Sequence, residues 1–260
     1  MKIKSLTSLL VLFIVLSFHS VFAQEAAPNA QGSLFYQANA YYREGKYNVA
    51  IKDYKKLIDS GLESGNLYYN LGNSYFKQGQ LGLALLNYER AKFFIPQDSD
   101  LRSNFEYTLH TLNLEPQSFG SRAQRLVYKL FEAMTLDFLT VFLSIVYVIL
   151  ILFFILNLFS SGIKKVFGVA VSILLTLFIL SAVALDGRIN YLNKSAIVVS
   201  KEADVKFEPF AGATTYFKLN EGSRVEVTDK AESWYKLKRF DGKTGWVDKG
   251  ALVLISGNPR

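Results

Sequence analysis

The sequence predicts a multidomain membrane protein built from an all-α solenoid of helical repeats, a two-helix transmembrane hairpin and a small all-β barrel. Three observations predict it. Residues in the first half recur at a spacing of 34. Two apolar blocks near the middle are each long enough to cross a bilayer. From residue 190 onward, short stretches alternate apolar and polar between turn residues.

Residues 1–23 read as a signal peptide. Lys2 and Lys4 precede the apolar run LTSLLVLFIVLSFHSVFA, which closes on Val21, Phe22 and Ala23, a small-x-small ending that signal peptidase accepts. An uncleaved signal anchor is the alternative. Either way, the chain that follows is expected outside the cytoplasm.

Aligning GKYNVAIKDY (45–54) with GQLGLALLNY (79–88) pairs Ala38 with Gly72, Tyr41 with Tyr75, Ala50 with Ala84 and Tyr54 with Tyr88. Small residues at two of these places let paired helices approach, and tyrosines fill the space between them. Two repeats are expected, 31–64 and 65–98, with a capping helix DSDLRSNFEYTLHTLNL completing a unit over 31–114. Asp98 or Ser99 is the expected N-cap of that helix. Gly79 belongs at a helix C-terminus, where the chain turns left-handed. Gly82 has no such explanation, since glycine inside a helix costs about 1 kcal/mol relative to alanine.

These residues resemble the tetratricopeptide repeat family. The second copy carries Leu71, Gly72, Tyr75, Ala84, Tyr88, Ala91 and Pro96 at the family's places, whereas Leu62 stands where the first copy would have its proline. The resemblance implies a partner-binding groove on the first helix of each pair. In peptide-binding relatives asparagines of that face hold ligand backbone, and the matching positions here are Asn39, Asn70, Asn73 and Asn104. An asparagine amide donates and accepts at once, which suits an extended backbone; merely solvated polar positions are the alternative. Tyr42, Arg43, Phe76 and Lys77 line the same groove, while Tyr36 and Tyr69 read as packing residues. The cations that complete a carboxylate clamp in those relatives are replaced by Phe35, Asp100 and Asn104.

Residues 115–135 read as a Pro/Gly linker and an amphipathic juxtamembrane helix carrying Arg122, Arg125 and Lys129. Transmembrane helices are expected over 136–159 and 166–185, joined by a cytoplasmic turn at 160–165 that contains Lys164 and Lys165. A hairpin of this kind leaves its two flanks on one side of the membrane.

Residues 190–257 read as the barrel, with strands in SAIVVS, DVKFEP, SRVEVTDK, WYKLKR, GWVDKG and ALVLI. Asp241 and Gly242 are expected to form a type I′ turn in the hairpin WYKLKRFDGKTGWV. This hairpin resembles the bacterial SH3-like family, whose hallmark residues fall at Trp234, Tyr235, Gly245 and Trp246. At the front the match is partial, with Pro209 alone in DVKFEPFAG. The resemblance implies peptide binding, wall peptides included, or a placement role; Trp234 and Trp246 read equally as barrel core or ligand contacts.

No catalytic constellation is expected. The chain has no cysteine and two histidines, His19 in the signal segment and His110 alone on the capping helix, so no metal site and no cofactor are expected. GQLG lies inside a helical repeat, not after a strand, and is no phosphate loop. The net charge of +7 is dispersed along the chain, which excludes a basic nucleic-acid surface.

The order of parts (signal peptide, two tetratricopeptide repeats, paired spans, SH3-like barrel) resembles the E-type members of the Bacteroides aerotolerance (Bat) family. The resemblance implies a non-enzymatic inner-membrane scaffold, with both soluble domains periplasmic, in an envelope complex linked to aerotolerance or stress. Its implied partners are Bat proteins with von Willebrand factor A domains and a MoxR-type ATPase system. The alternative is a cell-wall sensor or anchor that grips peptidoglycan peptides through the barrel.

Overall fold

A computed structural model describes residues 30–115, 122–131, 133–159 and 164–256. The expected signal peptide and most of the turn at 160–165 lie outside the described residues.

The first part comprises α1 (Ala30–Arg43), α2 (Tyr47–Asp59), α3 (Gly65–Lys77), α4 (Leu81–Ala91) and α5 (Ser99–Thr111). Helix α1 packs on α2 and α3 on α4. The chain reverses between α3 and α4 at Gly79, whose φ of +72° only glycine adopts without strain. There the Gly79 N–H reaches Phe76 O at 2.9 Å and the Gln80 N–H reaches Tyr75 O at 3.0 Å, closing the last turn of α3. Asp98 caps α5 by accepting the Leu101 N–H at 2.7 Å, which decides between the two candidate caps. Inside, Tyr54 and Tyr88 are fully buried with Leu57, Leu67, Leu71 and the small residues Ala38, Ala50 and Ala84. A Cβ on Gly72 would come 2.6 Å from the Tyr88 ring, so the helix pair closes only around a missing side chain.

Next come α6 (Arg122–Leu130), α7 (Leu136–Phe159) and α8 (Lys164–Lys194). Helices α7 and α8 pack together, with Tyr147 against Phe178 and Phe153 against Phe167 at 6.1 Å in both pairs. Each contains a stretch long and apolar enough to cross a membrane, 20 residues in α7 and 28 in α8. Helix α8 departs from expectation. It runs nine residues past the predicted end at 185, so residues 190–194, expected in the barrel, are helical, and Lys164 and Lys165 are helical rather than part of the turn. Two local interactions carry it through its polar end. Asn190 Nδ2 donates to Asp186 Oδ2 at 2.9 Å one turn away, and Arg188 donates to Phe131 O at 2.9 Å and to Met134 O. Around Arg188, Phe131, Leu139 and Ala184 form a small core.

Strand β1 (Ser195–Val198) follows α8 without a connecting residue. With β2 (Glu202–Lys206), β3 (Thr215–Asn220), β4 (Arg224–Lys230), β5 (Trp234–Lys238), β6 (Thr244–Asp248) and β7 (Leu252–Leu254) it makes one antiparallel sheet, ordered β3-β2-β6-β5-β4-β1-β7. The sheet curls around Val198, Val205, Leu219, Val225, Leu237, Val247 and Leu252. The β5–β6 turn is not type I′. Gly242 has φ +88° but Asp241 is not left-handed, and a turn from Arg239 to Gly242, closed at 2.9 Å, is followed by that glycine and the 2.8 Å bond from Arg239 N–H to Lys243 O. This is the longer hairpin loop in which one glycine absorbs the twist that a two-residue turn would spread over two positions.

The two soluble parts are docked on each other, and Gly82 lies at a close approach between them. A Cβ there would lie 2.6 Å from Val198 O and 3.1 Å from Val199 Cα, while the Gly82 N–H donates to the buried Glu221 carboxylate at 2.8 Å. Further along α4, Arg90 Nε donates to Ile255 O at 2.8 Å and its NH2 to Leu254 O at 3.2 Å. Glu89 meets Arg224 at 3.3 Å, and Arg224 also donates to the Tyr191 hydroxyl at 2.7 Å. Around these bonds Leu85, Leu86, Leu109, Ile197 and Ile255 form a shared core, joined at its edge by Tyr191 and Leu192 from the end of α8.

Two effects compete at Gly82. Alanine gains about 1 kcal/mol of helix propensity, but an extra methyl in a filled contact costs about 1–3 kcal/mol. Because the obstructing atoms are backbone, the clash should win: Gly82→Ala is expected to lower the melting temperature of the detergent-solubilised protein and speed proteolysis between solenoid and barrel, whereas a gain in stability would contradict the docking geometry.

Candidate functional site

Two open surfaces remain once the domains are docked. The first is the row of first helices, α1, α3 and α5. Asn39 Oδ1 accepts from the Tyr54 hydroxyl at 2.6 Å and from Asn70 Nδ2 at 2.9 Å. One repeat later, Asn73 Oδ1 accepts from the Tyr88 hydroxyl at 2.7 Å and from Asn104 Nδ2 at 3.0 Å, and Asn104 also donates to Tyr69 at 2.9 Å. The four predicted asparagines are therefore hydrogen-bonded within the repeat. They are rungs that tie each first helix to the next and to a tyrosine of the intervening second helix. Among the described residues, the Asn39 Nδ2 group and the Asn70 and Asn104 Oδ1 atoms have no hydrogen-bond partner, so part of each rung's capacity stays open to the groove, whereas Asn73 is engaged with Tyr69 as well.

Beside the rungs, Tyr42 packs on Tyr47 at 5.4 Å and Phe76 on Tyr107 at 5.7 Å, while Arg43 and Lys77 are exposed. Tyr36, expected to pack, is instead 70 % exposed, and Tyr107, which sequence reasoning did not single out, is 63 % exposed. Their positions explain them: Tyr36 aligns with Asn70, and Tyr107 with Asn73, at the repeat spacing of 34. Two tyrosines thus bracket the asparagine rungs, one at each end. Burial pushes the Tyr54 and Tyr88 phenols well up from the ordinary value of 10.0, which keeps both as hydrogen-bond donors to the rungs.

The second surface is on the barrel, a groove of about 640 Å³ beneath the β5–β6 hairpin. Phe207 and Tyr216 stack at 4.5 Å on one side, with Phe207 58 % exposed. Trp246 faces them from β6, where it opposes Lys206 on β2 and Lys236 on β5. Lys236 Nζ lies 5.7 Å from the Trp246 ring and Lys243 Nζ 5.9 Å from the Tyr216 ring. Asp241 also lines the groove, but it is held by Arg239, whose Nε donates to Oδ1 at 2.9 Å and whose NH2 meets Oδ2. Hydrogen bonding from Arg239 holds the Asp241 carboxyl at about 2, so it stays ionised and paired.

The four predicted barrel residues fall in different environments. Gly245 is buried because a Cβ would meet Val205 Cγ1 at 2.5 Å and Lys206 O at 2.9 Å where β6 crosses β2. Tyr235 is half-buried against the core, between Lys230 and Lys249. Trp234 and Trp246 are both half-exposed and stand outside the core cluster. Of the two, Trp246 lines the groove, while Trp234 stands beside Lys206.

Comparison with known proteins agrees with both halves. Residues 202–253 match the bacterial SH3 domain family, and residues 38–79 match the TPR repeat family. No curated protein matches the chain. The chain thus carries one stretch that matches the TPR repeat family and one that matches the bacterial SH3 domain family, with two apolar helices between them.

The rungs make an ordered prediction. Asn39→Ala orphans the buried Tyr54 hydroxyl and should cost about 1–3 kcal/mol; Asn70→Ala leaves Tyr54 bonded and should cost less, which denaturant unfolding would rank. A second prediction follows from the raised phenols. Their neutral form is favoured only in the fold, so the stability they contribute is complete below pH ~10 and is lost as pH rises above it. Unfolding should therefore ease steeply above that pH, and a flat stability profile through pH 11 would contradict the buried-donor role.

Proposed function

We propose that the protein is a non-enzymatic scaffold of the inner membrane that presents the tetratricopeptide face and the SH3-like barrel to partner proteins as one periplasmic body. The observation that carries this reading is the docking itself. The barrel covers α4, a second helix of the solenoid, so the first-helix face with its rungs and bracketing tyrosines stays open. Repeats of this kind gain their use from such a continuous face.

The membrane part of the reading is supported by exposure. Only 11 % of each apolar window in α7 and α8 is buried, whereas a core helix of a soluble protein hides most of its apolar surface. Twenty residues of helix span about 30 Å, the thickness of a hydrocarbon core. Lys2, Lys4 and the ending Val21-Phe22-Ala23 support a signal peptide and a periplasmic location. The order of parts supports an assembly of the Bat type, with von Willebrand factor A-domain membrane proteins as partners in aerotolerance or stress. A second reading, binding of peptidoglycan peptides, is favoured by the aromatic groove of the barrel.

The test is co-purification from the native membrane after crosslinking, comparing the unaltered chain with one in which Tyr36→Ala and Tyr107→Ala are combined. These changes leave every rung in place, unlike substitution of the asparagines. The expected result is membrane partners bearing von Willebrand factor A domains with the unaltered chain, and recovery reduced about tenfold or more in the double variant, as for loss of exposed aromatic anchors. Equal recovery of partners would remove the first-helix face as the working surface. Sedimentation of the whole protein with purified wall, and no recovery of protein partners, would support the second reading instead.

A further inference from the structure

We infer that the barrel groove is a binding site for a short acidic peptide, lying extended over Tyr216, Phe207 and Trp246 with carboxylates at Lys236 and Lys243. The inference rests on the scaffold reading, because it names the kind of partner segment that the barrel side would take.

Charge is the first argument. Two barrel lysines have acids: Lys218 meets Glu202 at 2.9 Å, and Lys201 meets Glu221. Among the described residues, Lys236 and Lys243 form no ion pair; their ammonium groups rest over aromatic rings. The acid in the groove, Asp241, is bound by Nε and Nη2 of Arg239 and also feels the charge of Lys243. Two lysines line the groove and Arg239 adjoins it, against the one carboxylate of Asp241.

Shape and surface are the second. A volume of about 640 Å³, in a groove open to solvent, is large for a single ion. Phe207 and Tyr216 stack within it, and Trp246 also lines it, among polar side chains. An extended peptide places alternate side chains on one side about 7 Å apart, so apolar residues can meet the rings while acidic ones reach the lysines. Nucleic acid fits poorly. Phosphate tracking needs a longer run of cations than two lysines supply.

The probe is a fluorescein-labelled octapeptide of alternating glutamate and leucine, titrated by anisotropy against the full-length protein in detergent, beside the same peptide with glutamine for each glutamate. The acidic peptide is expected to bind about tenfold or more tightly than its neutral counterpart, which corresponds to one good charged contact, and to weaken with added salt. Lys236→Gln combined with Lys243→Gln should reduce that binding about tenfold, and Lys218→Gln, whose ammonium already has Glu202, should leave it unchanged. Equal affinity for the two peptides, no binding, or indifference to the double lysine change would overturn the assignment. So would binding of soluble muropeptide with none of the acidic peptide. Failure here while partners still co-purify in the Tyr36 and Tyr107 comparison removes only the ligand class; loss of the scaffold itself would show in that comparison.

Discussion

The architecture hangs on a missing side chain. Strand β1 crosses helix α4 so closely that Val198 O and Val199 Cα occupy the space a Cβ on Gly82 would need, and Glu221 takes the Gly82 N–H. That approach brings Arg90 to the carbonyls of Leu254 and Ile255, and Glu89 to Arg224. Each of these charges is desolvated, and a buried charge that loses its partner costs about 3–5 kcal/mol. The docked arrangement answers most of these groups, since Arg90 Nε and Nη2, Glu89 and Arg224 are all bonded across it, while the buried Arg90 Nη1 has no hydrogen-bond partner among the described residues. An apolar contact alone would tolerate sliding; hydrogen bonds to named carbonyls do not.

The position of the contact decides what is left exposed. Strands β1 and β7 end the sheet order on one side and β2 and β3 on the other. The solenoid meets the first side, through Ile197 and Ile255, while the aromatic groove belongs largely to the other side and to the β5–β6 hairpin. On the solenoid, the barrel takes a second helix, and the asparagine rungs run along the first helices. Neither open surface is consumed by the docking.

Much of this was legible, for identifiable reasons. The spacing of 34 residues is a local signal, and so is the glycine that ends α3. What escaped was long-range. Gly82 looked like a defect in its helix because its partner, Glu221, lies 139 residues away. The polar run Asp186-Gly187-Arg188 read as the end of a helix because its hydropathy falls, yet Arg188 finds backbone carbonyls of Phe131 and Met134 and the helix continues. The asparagines lie on the first helices of the repeats, but their commitment to Tyr54 and Tyr88 depends on hydroxyls contributed by another helix of the repeat. Tyr36 and Tyr107 are exposed because the repeat ends there, so no further rung covers them.

Helix α8 enters β1 without an intervening residue, and its last turn is clasped between solenoid and barrel through Tyr191, which lies 5.9 Å from Phe93 and bonds Arg224. On the membrane reading there is no slack in this shaft. Each residue added to a helix turns whatever it carries by about 100° and lifts it about 1.5 Å. The heading of the barrel relative to the bilayer is accordingly a matter of phase, set by the count of residues between the apolar stretch and Ser195. A rotation or tilt of α8 within the bilayer would be felt outside as a turn of the whole docked pair, which makes the shaft a torsion bar rather than a tether.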